Sequence, residues 1–244
     1  MNKTKVKGII INDTNYSESS KILHILTYEY GLIGVISKGC RNYKSKLRSV
    51  SMKLTYGYFY INYKEDGLST LTEVDVIDDL KNIKTDLIKI GYSSYLIDLA
   101  KQVIKQNCSE EIFSILESAL LKINENFSPS VITNIVELKY LSFLGVSPIL
   151  DQCAICGNSK DIVTVNSDVG GYICKNCYTN EYITDEKTVK LLRMFNFVDI
   201  SKIKELNIQD KNSNEINKFL EDYYLKYTGL FLKPKNFLSQ IKQN

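Results

Sequence analysis

Long apolar runs are absent from this 244-residue sequence. The apolar run nearest the N-terminus, from Gly8 to Ile11, is far too short for the hydrophobic region of a signal peptide. No window approaches the roughly 18 uncharged apolar residues that a membrane-spanning helix requires. We therefore expect a cytoplasmic protein with no membrane partner, and in that compartment thiols stay reduced.

Histidine is nearly absent, and the usual signs of catalysis are missing with it. The only histidine, His24, lies in an apolar segment with no serine, cysteine or acid nearby in a catalytic pattern. A histidine in such a place is more often a packing or hydrogen-bonding residue than a catalyst. The sequence also contains no nucleophile elbow, no Rossmann glycine set and no His-Glu metal motif. We expect that the protein is not an enzyme.

Strand patterns fill the first third of the chain. Segments rich in Ile, Val, Thr and Tyr follow one another from residue 5 to residue 77, with turn residues between them. The segment "TYEYGLIG" is typical of a tight hairpin with Gly31 near its turn. About five short strands in some seventy residues is the size of a small β-barrel such as an OB-fold.

Helical periodicity replaces the strand pattern from Leu80 onwards. Apolar residues then recur at three- and four-residue spacing, and "FSPSVITNIVELKYLSFLGVSP" has Pro129 at its start and Gly145 at its end. The same periodicity returns after residue 184. An interruption that carries paired cysteines separates the two helical blocks.

Four of the six cysteines form two pairs with the pattern Cys-x2-Cys, seventeen residues, Cys-x2-Cys. This spacing is that of a four-cysteine zinc site, because a two-residue gap lets both thiolates of a pair face one ion in tetrahedral geometry. Redox-active pairs and coincidental buried thiols are the alternatives, and two pairs in a reducing compartment favour Zn2+. Four thiolates leave no open position for a substrate, so we interpret the single zinc ion as structural. The predicted ligands are Cys153, Cys156, Cys174 and Cys177.

Positive charge is concentrated in "SKGCRNYKSKLRSVSMK", residues 37 to 53, which holds six Lys or Arg and no acid although the net charge is only +3. A solvated surface loop would also explain such a run. A single-signed run that joins the strands of a small barrel favours contacts with a phosphate backbone instead. The predicted nucleic-acid-binding residues are Lys38, Arg41, Lys44, Lys46, Arg48 and Lys53. The stretch from Glu65 to Asp79 is acidic, and we expect it to face away from nucleic acid or to meet a basic partner.

Three tyrosines alternate along one predicted strand and so share a face: Tyr56, Tyr58 and Tyr60. Stacking on bases and ordinary packing of a small barrel both explain them, and packing is favoured because strands are rich in tyrosine in any case.

These features, taken in order, resemble the RecO family of bacterial recombination mediators. The resemblance rests on Gly8 opening an apolar strand, "YSE" from Tyr16, "TYEYG" from Thr27, "KGCRNYKS" from Lys38, and on "LTEVDVID", "LGVSPILDQCAICG" and "GGYICKNC". It covers most of the chain, although the last sixty residues match only in helical character.

The resemblance implies an α+β multidomain fold, with an N-terminal OB-fold β-barrel, an α-helical domain and an inserted four-cysteine zinc ribbon. We expect the OB-fold at 1–79, the helical domain at 80–150 and 185–244, and the zinc-binding insertion at 151–184.

The resemblance also implies a non-enzymatic role in recombinational DNA repair. RecO proteins bind single- and double-stranded DNA, anneal complementary strands and work with RecR. They help RecA to load onto strands coated by single-strand-binding protein, whose C-terminal tail they contact. The location implied is the cytoplasm, at the nucleoid during repair. The alternative from another class is a zinc-ribbon transcription regulator or an RNA-binding module.

Overall fold

The computed structural model describes residues 3–107 and 109–230, and its N-terminal part is a closed β-barrel. The strands follow the order β1-β2-β3-β5-β4 around the barrel, in which β3 and β5 are parallel and the other neighbours are antiparallel. The expected OB-like barrel is confirmed. Its strands are β1 (Lys3–Asn15), β2 (Lys21–Thr27), β3 (Gly31–Ser37), β4 (Tyr56–Asn62) and β5 (Ser69–Asp78).

One side chain in two along these strands fills the barrel. Phe59 and Ile61 of β4 are fully buried there with Val6 and Ile10 of β1. Gly57 lies where the backbone of β5 comes too close for a side chain, since a Cβ at this position would be 2.3 Å from the Asp75 carbonyl oxygen. The strand alternation read from the sequence therefore specifies which side chains enter the barrel.

The helices follow the barrel in two blocks. Asp86 caps α2 by accepting hydrogen bonds from the amides of Ile88 and Lys89. As predicted, α4 begins at Pro129 and ends before Gly145, whose φ of 72° is left-handed. The helices are α1 (Lys81–Lys84), α2 (Leu87–Gln106), α3 (Glu110–Asn124), α4 (Pro129–Phe143), α5 (Glu186–Phe197) and α6 (Asp210–Tyr227), and a 3-10 turn spans Ile200–Lys202.

The barrel and the helices share one hydrophobic core. Ile9 and Leu26 are buried on the outer face of the barrel, and both belong to the apolar cluster formed by α2, α3 and α4. Tyr56 of β4, 3 % exposed, belongs to the same cluster. The helices therefore cover one outer face of the barrel and hold it in a set orientation.

A small sheet lies between α4 and α5 in the chain. Its strands are β6 (Ile149–Cys153), β7 (Ile162–Asn166) and β8 (Gly171–Cys174), in the order β6-β8-β7. β7 and β8 form an antiparallel pair, and β6 adds to β8 in parallel. Tyr172 of β8 and Leu150 of β6 join the core of the helices, so the sheet is packed against them.

No helix within residues 3–107 and 109–230 combines the length and the apolar character needed to cross a membrane.

Candidate metal centre and basic surface

The four paired cysteines meet at one point beside the small sheet. Their sulfur atoms all lie within 4.8 Å of one another, and the Cys156 and Cys174 sulfurs are 3.6 Å apart. Cys153 and Cys174 are buried, Cys177 is half-buried and Cys156 is exposed. The cluster could therefore hold one metal ion, and it brings together all four cysteines that the spacing singles out.

Backbone turns shape this cluster. Gly157 has a φ of 74°, and its amide donates to the Cys153 carbonyl at 2.9 Å to close the first turn. Cys177 donates to the Cys174 carbonyl at 3.0 Å in the second turn. The Cys174 amide also donates to the Cys153 sulfur at 3.4 Å. These turns place the thiols on one side of each loop, as a tetrahedral sulfur site requires.

The electrostatics of the cluster suit a cation. Burial opposes ionisation of Cys153, but backbone N–H groups of Cys156, Cys174 and Ile155 point at its sulfur and lower its pKa to about 6. The pKa of Cys177 is raised to about 12, first by its hydrogen bond with the Cys156 thiol and then by burial. Thiolates held this close repel one another, and a divalent cation bound between them would remove that repulsion.

The basic segment, defined as residues 38–55, connects β3 to β4 and is built as a series of turns. Cys40 and Leu54 are 2 % and 5 % exposed, so both ends of the segment are anchored in the protein. The Ser51 hydroxyl lies 2.8 Å from that of Ser37, the last residue of β3. Leu47 packs partly against the barrel interior. The segment is therefore held at its ends and in its middle.

All six of the cations that we predict to bind nucleic acid are exposed, and they belong to this one segment. Arg41 is positioned by the β1–β2 turn, because its side chain donates to the Ser17 carbonyl at 2.8 Å. Lys53 lies at the border with the helices, where its ammonium group donates to the Ser94 hydroxyl at 3.2 Å. Five of the six cations form no salt bridge within the described part of the chain: Lys38, Arg41, Lys44, Lys46 and Arg48.

The tyrosines of β4 are less exposed than the tyrosine of the basic segment. Tyr58 and Tyr60 are half-buried on the outer face of β4, and the Lys5 ammonium lies 3.9 Å from the centre of the Tyr58 ring. The Tyr60 hydroxyl donates to Asp75 at 2.8 Å. These contacts, with the burial of Tyr56, support packing rather than base stacking as their role. Tyr43 of the basic segment is different, because it is 89 % exposed.

Sequence reasoning missed two features of this surface. Lys3, Lys5 and Lys7 line β1 beside the tyrosines of β4, and the alternation in "KTKVKG" is the signal that could have identified them. Tyr43 is the second, and its place among the six cations of the basic segment is the signal that could have identified it. Of the two cysteines outside the pairs, Cys40 is buried and Cys108 lies outside the described residues.

Comparison with known proteins gives consistent matches over nearly the whole chain. The family described as Recombination protein O N terminal matches residues 1–80, and the family described as Recombination protein O C terminal matches residues 84–235. Among curated proteins, the chain is 33 % identical over 242 residues to the DNA repair protein RecO of Bacillus pumilus, which covers 98 % of this chain and 94 % of that protein. It is 32 % identical to the RecO of Listeria monocytogenes serotype 4b (strain CLIP80459), over 97 % of this chain and 94 % of that protein. It is 31 % identical to the RecO of Halalkalibacterium halodurans, over 98 % of this chain and 95 % of that protein.

Proposed function

The chain belongs to the RecO family of DNA repair proteins, which are recombination mediators rather than enzymes, and we propose that it binds single- and double-stranded DNA through backbone phosphates. The observation that carries this proposal is the basic segment, in which five exposed cations form no salt bridge within the described residues. Cations not neutralised by carboxylates remain available to release counterions from DNA.

The mechanism that follows is strand annealing. Phosphate contacts carry no sequence information, so one surface can hold any strand. By neutralising phosphates, Lys38, Arg41, Lys44, Lys46, Arg48 and Lys53 would lower the repulsion between two strands and allow complementary bases to pair. No bond in the DNA is made or broken, so no catalytic group is required.

The partners proposed are those that the family resemblance implies. With RecR, the protein would help RecA to load onto strands coated by single-strand-binding protein, whose C-terminal tail it would contact. The setting proposed is the cytoplasm, at the nucleoid during repair. The resemblance supports these partners, and the domain division of 1–79, 80–150 with 185–244, and 151–184 is proposed on the same grounds. Residues 231–244, at the end of the helical range 185–244, lie outside the described residues.

The metal proposed for the four-cysteine cluster is one structural Zn2+. Four thiolates at tetrahedral spacing are the donor set of structural zinc sites. The ion would join the two turns that carry the cysteine pairs, and the buried Cys153 and Cys174 would tie it to the ends of strands β6 and β8.

An annealing assay tests the proposed function. Two unrelated pairs of complementary DNA oligonucleotides should anneal faster in the presence of the protein, at rates that do not depend on their sequence. A variant with Lys38, Arg41, Lys44 and Arg48 changed to Ala should lose most of this acceleration. A matched variant that removes four exposed cations outside the barrel, Lys160, Lys187, Lys204 and Lys218, should retain it. Acceleration confined to RNA or to one sequence would instead support the zinc-ribbon regulator or RNA-binding module.

A further inference from the structure

The basic segment carries one aromatic ring that the fold leaves almost uncovered. Tyr43 is 89 % exposed, although the segment on either side of it is anchored by the buried Cys40 and the half-buried Leu47. Single exposed apolar side chains are common on protein surfaces and by themselves mean little. What distinguishes Tyr43 is its contact with Arg48 and its place among cations that form no salt bridge with any described residue.

That contact is with Arg48. The centre of its guanidinium group lies 5.4 Å from the centre of the Tyr43 ring, within the range of a cation–π interaction. Among the described residues, Tyr43 forms no hydrogen bond and no ring–ring contact. Arg48 therefore restrains the ring while most of its surface stays open to solvent.

We propose that Tyr43 stacks on an unpaired base while the cations around it hold the flanking phosphates. This inference deepens the proposed function and rests on it. Every base presents a π-face, so a tyrosine between phosphate-binding cations can hold a single strand without reading its sequence. A base inside a duplex is already stacked between its neighbours, so neither of its faces is available to the tyrosine ring. Tyr43 thus gives the basic segment a preference for single strands.

Tyr58, on strand β4 of the barrel, is less suited to this role than Tyr43. The Tyr58 ring is half-buried, and Lys5 lies 3.9 Å above its centre, so a base would have to displace a bound cation. Arg48 lies farther from the Tyr43 ring, at 5.4 Å, and Tyr43 is 89 % exposed, so ring surface remains open to a base.

The absence of tryptophan from the chain provides a direct test. Tyr43→Trp introduces the only indole, and adding a short oligothymidylate should quench its fluorescence, whereas a duplex should leave it nearly unchanged. The matched control is Phe197→Trp, because Phe197 is 72 % exposed at the end of α5 and far along the chain from the basic segment. Its emission should not respond to either DNA. No quenching at position 43 when the single strand is bound would overturn the inference.

Affinity measurements provide the second arm of the test. Tyr43→Ala should weaken binding of the oligothymidylate by roughly 5- to 100-fold. It should leave duplex affinity and the salt dependence of binding unchanged, because no phosphate contact is lost. Tyr43→Phe keeps the ring and should restore single-strand binding. Equal losses for single strands and duplexes, or no loss at all, would overturn the inference while the proposed function stands. Failure of the wild-type protein to bind either DNA would overturn both.

Discussion

Lys7 on β1 and Glu117 on α3 form an ion pair, with the ammonium nitrogen 2.5 Å from a carboxylate oxygen. The Tyr56 hydroxyl of β4 donates to the same carboxylate. Both side chains of the pair are more than two-thirds shielded from solvent. Glu117 therefore joins two strands of the barrel to the helices, and it does so at the border of the core that they share.

Replacing Glu117 with Ala should weaken this junction. The change leaves the Tyr56 hydroxyl and the Lys7 ammonium without their shared acceptor. Leaving a shielded donor without its acceptor typically lowers the free energy of unfolding by about 1–3 kcal/mol. Urea unfolding of the variant should show this decrease in the free energy of unfolding. Glu125→Ala is the matched control, because it breaks the Lys122–Glu125 pair at the end of α3, where the Glu125 side chain is 54 % exposed. An exposed helix pair contributes only about 0.3–0.5 kcal/mol. Similar losses in the two variants would contradict the assigned role of Glu117.

DNA binding should depend strongly on salt. Six phosphate contacts predict a slope of log K against log salt of about −4 on single strands, so raising salt from about 50 to 200 mM should weaken binding by roughly two to three decades. Changing Lys38, Arg41, Lys44 and Arg48 to Ala should flatten the slope, whereas removing Lys160, Lys187, Lys204 and Lys218 should not. Fluorescence anisotropy at several salt concentrations measures both. An unchanged slope in the folded first variant would place the DNA site elsewhere, for example at Lys233 and Lys235, which lie outside the described residues.

Removing a cysteine of the cluster should remove the metal. Cys153→Ser and Cys174→Ser should each lose the zinc measured by elemental analysis and should melt at lower temperature, because metal binding and folding are coupled. Cys40→Ser is the control, since Cys40 is equally buried but lies outside the cluster, so this variant should keep its zinc. Purified wild-type protein without zinc, and with a melting temperature that a chelator does not change, would contradict the zinc assignment.

Buried tyrosines should make the protein sensitive to alkali. Burial raises the pKa of Tyr140 and Tyr224, whose hydroxyls each donate to a backbone carbonyl at 2.8 Å. Their neutral forms are favoured in the folded state, so the stabilisation is complete below the unfolded pKa of about 10 and is lost as the pH rises towards the higher folded pKa.

Each such tyrosine should lower the free energy of unfolding by about 1.4 kcal/mol per pH unit above that point. Urea unfolding between pH 8 and pH 11 measures the slope, and Tyr224→Phe should reduce it by one such contribution relative to wild type. A free energy of unfolding that stays constant over this range would show that these hydroxyls do not remain neutral in the folded protein.

Much of the local structure could be predicted because its causes are local. The hairpin at Gly31 needs a left-handed residue, and Gly31 has a φ of 62°. Pro129 and Gly145 bound α4 because proline suits a first helical turn and glycine suits a helix end. Two-residue spacing places two thiols on one turn, so the cysteine pairs indicate a metal site without reference to the rest of the fold.

Other features depend on contacts between distant segments. β6 was not predicted, because five residues with a mixed pattern become a strand only when β8 pairs with them in parallel. Tyr56 alternates with Tyr58 and Tyr60 in the same strand, yet it is buried because α3 covers its end of β4. Period-two alternation assigns side chains to a face but does not say which element will cover that face.

The kinds of elements, the cysteine pairs and the accumulation of positive charge are legible in the amino-acid order alone, because each follows from residues close together in the chain. Three features emerge only from the fold: the helices share a core with the barrel, Glu117 binds both Lys7 and Tyr56, and Tyr43 stays exposed beside Arg48. Which faces meet, and which charges find partners, is set by the packing of surfaces far apart in the chain, and these energies exist only once the chain has folded.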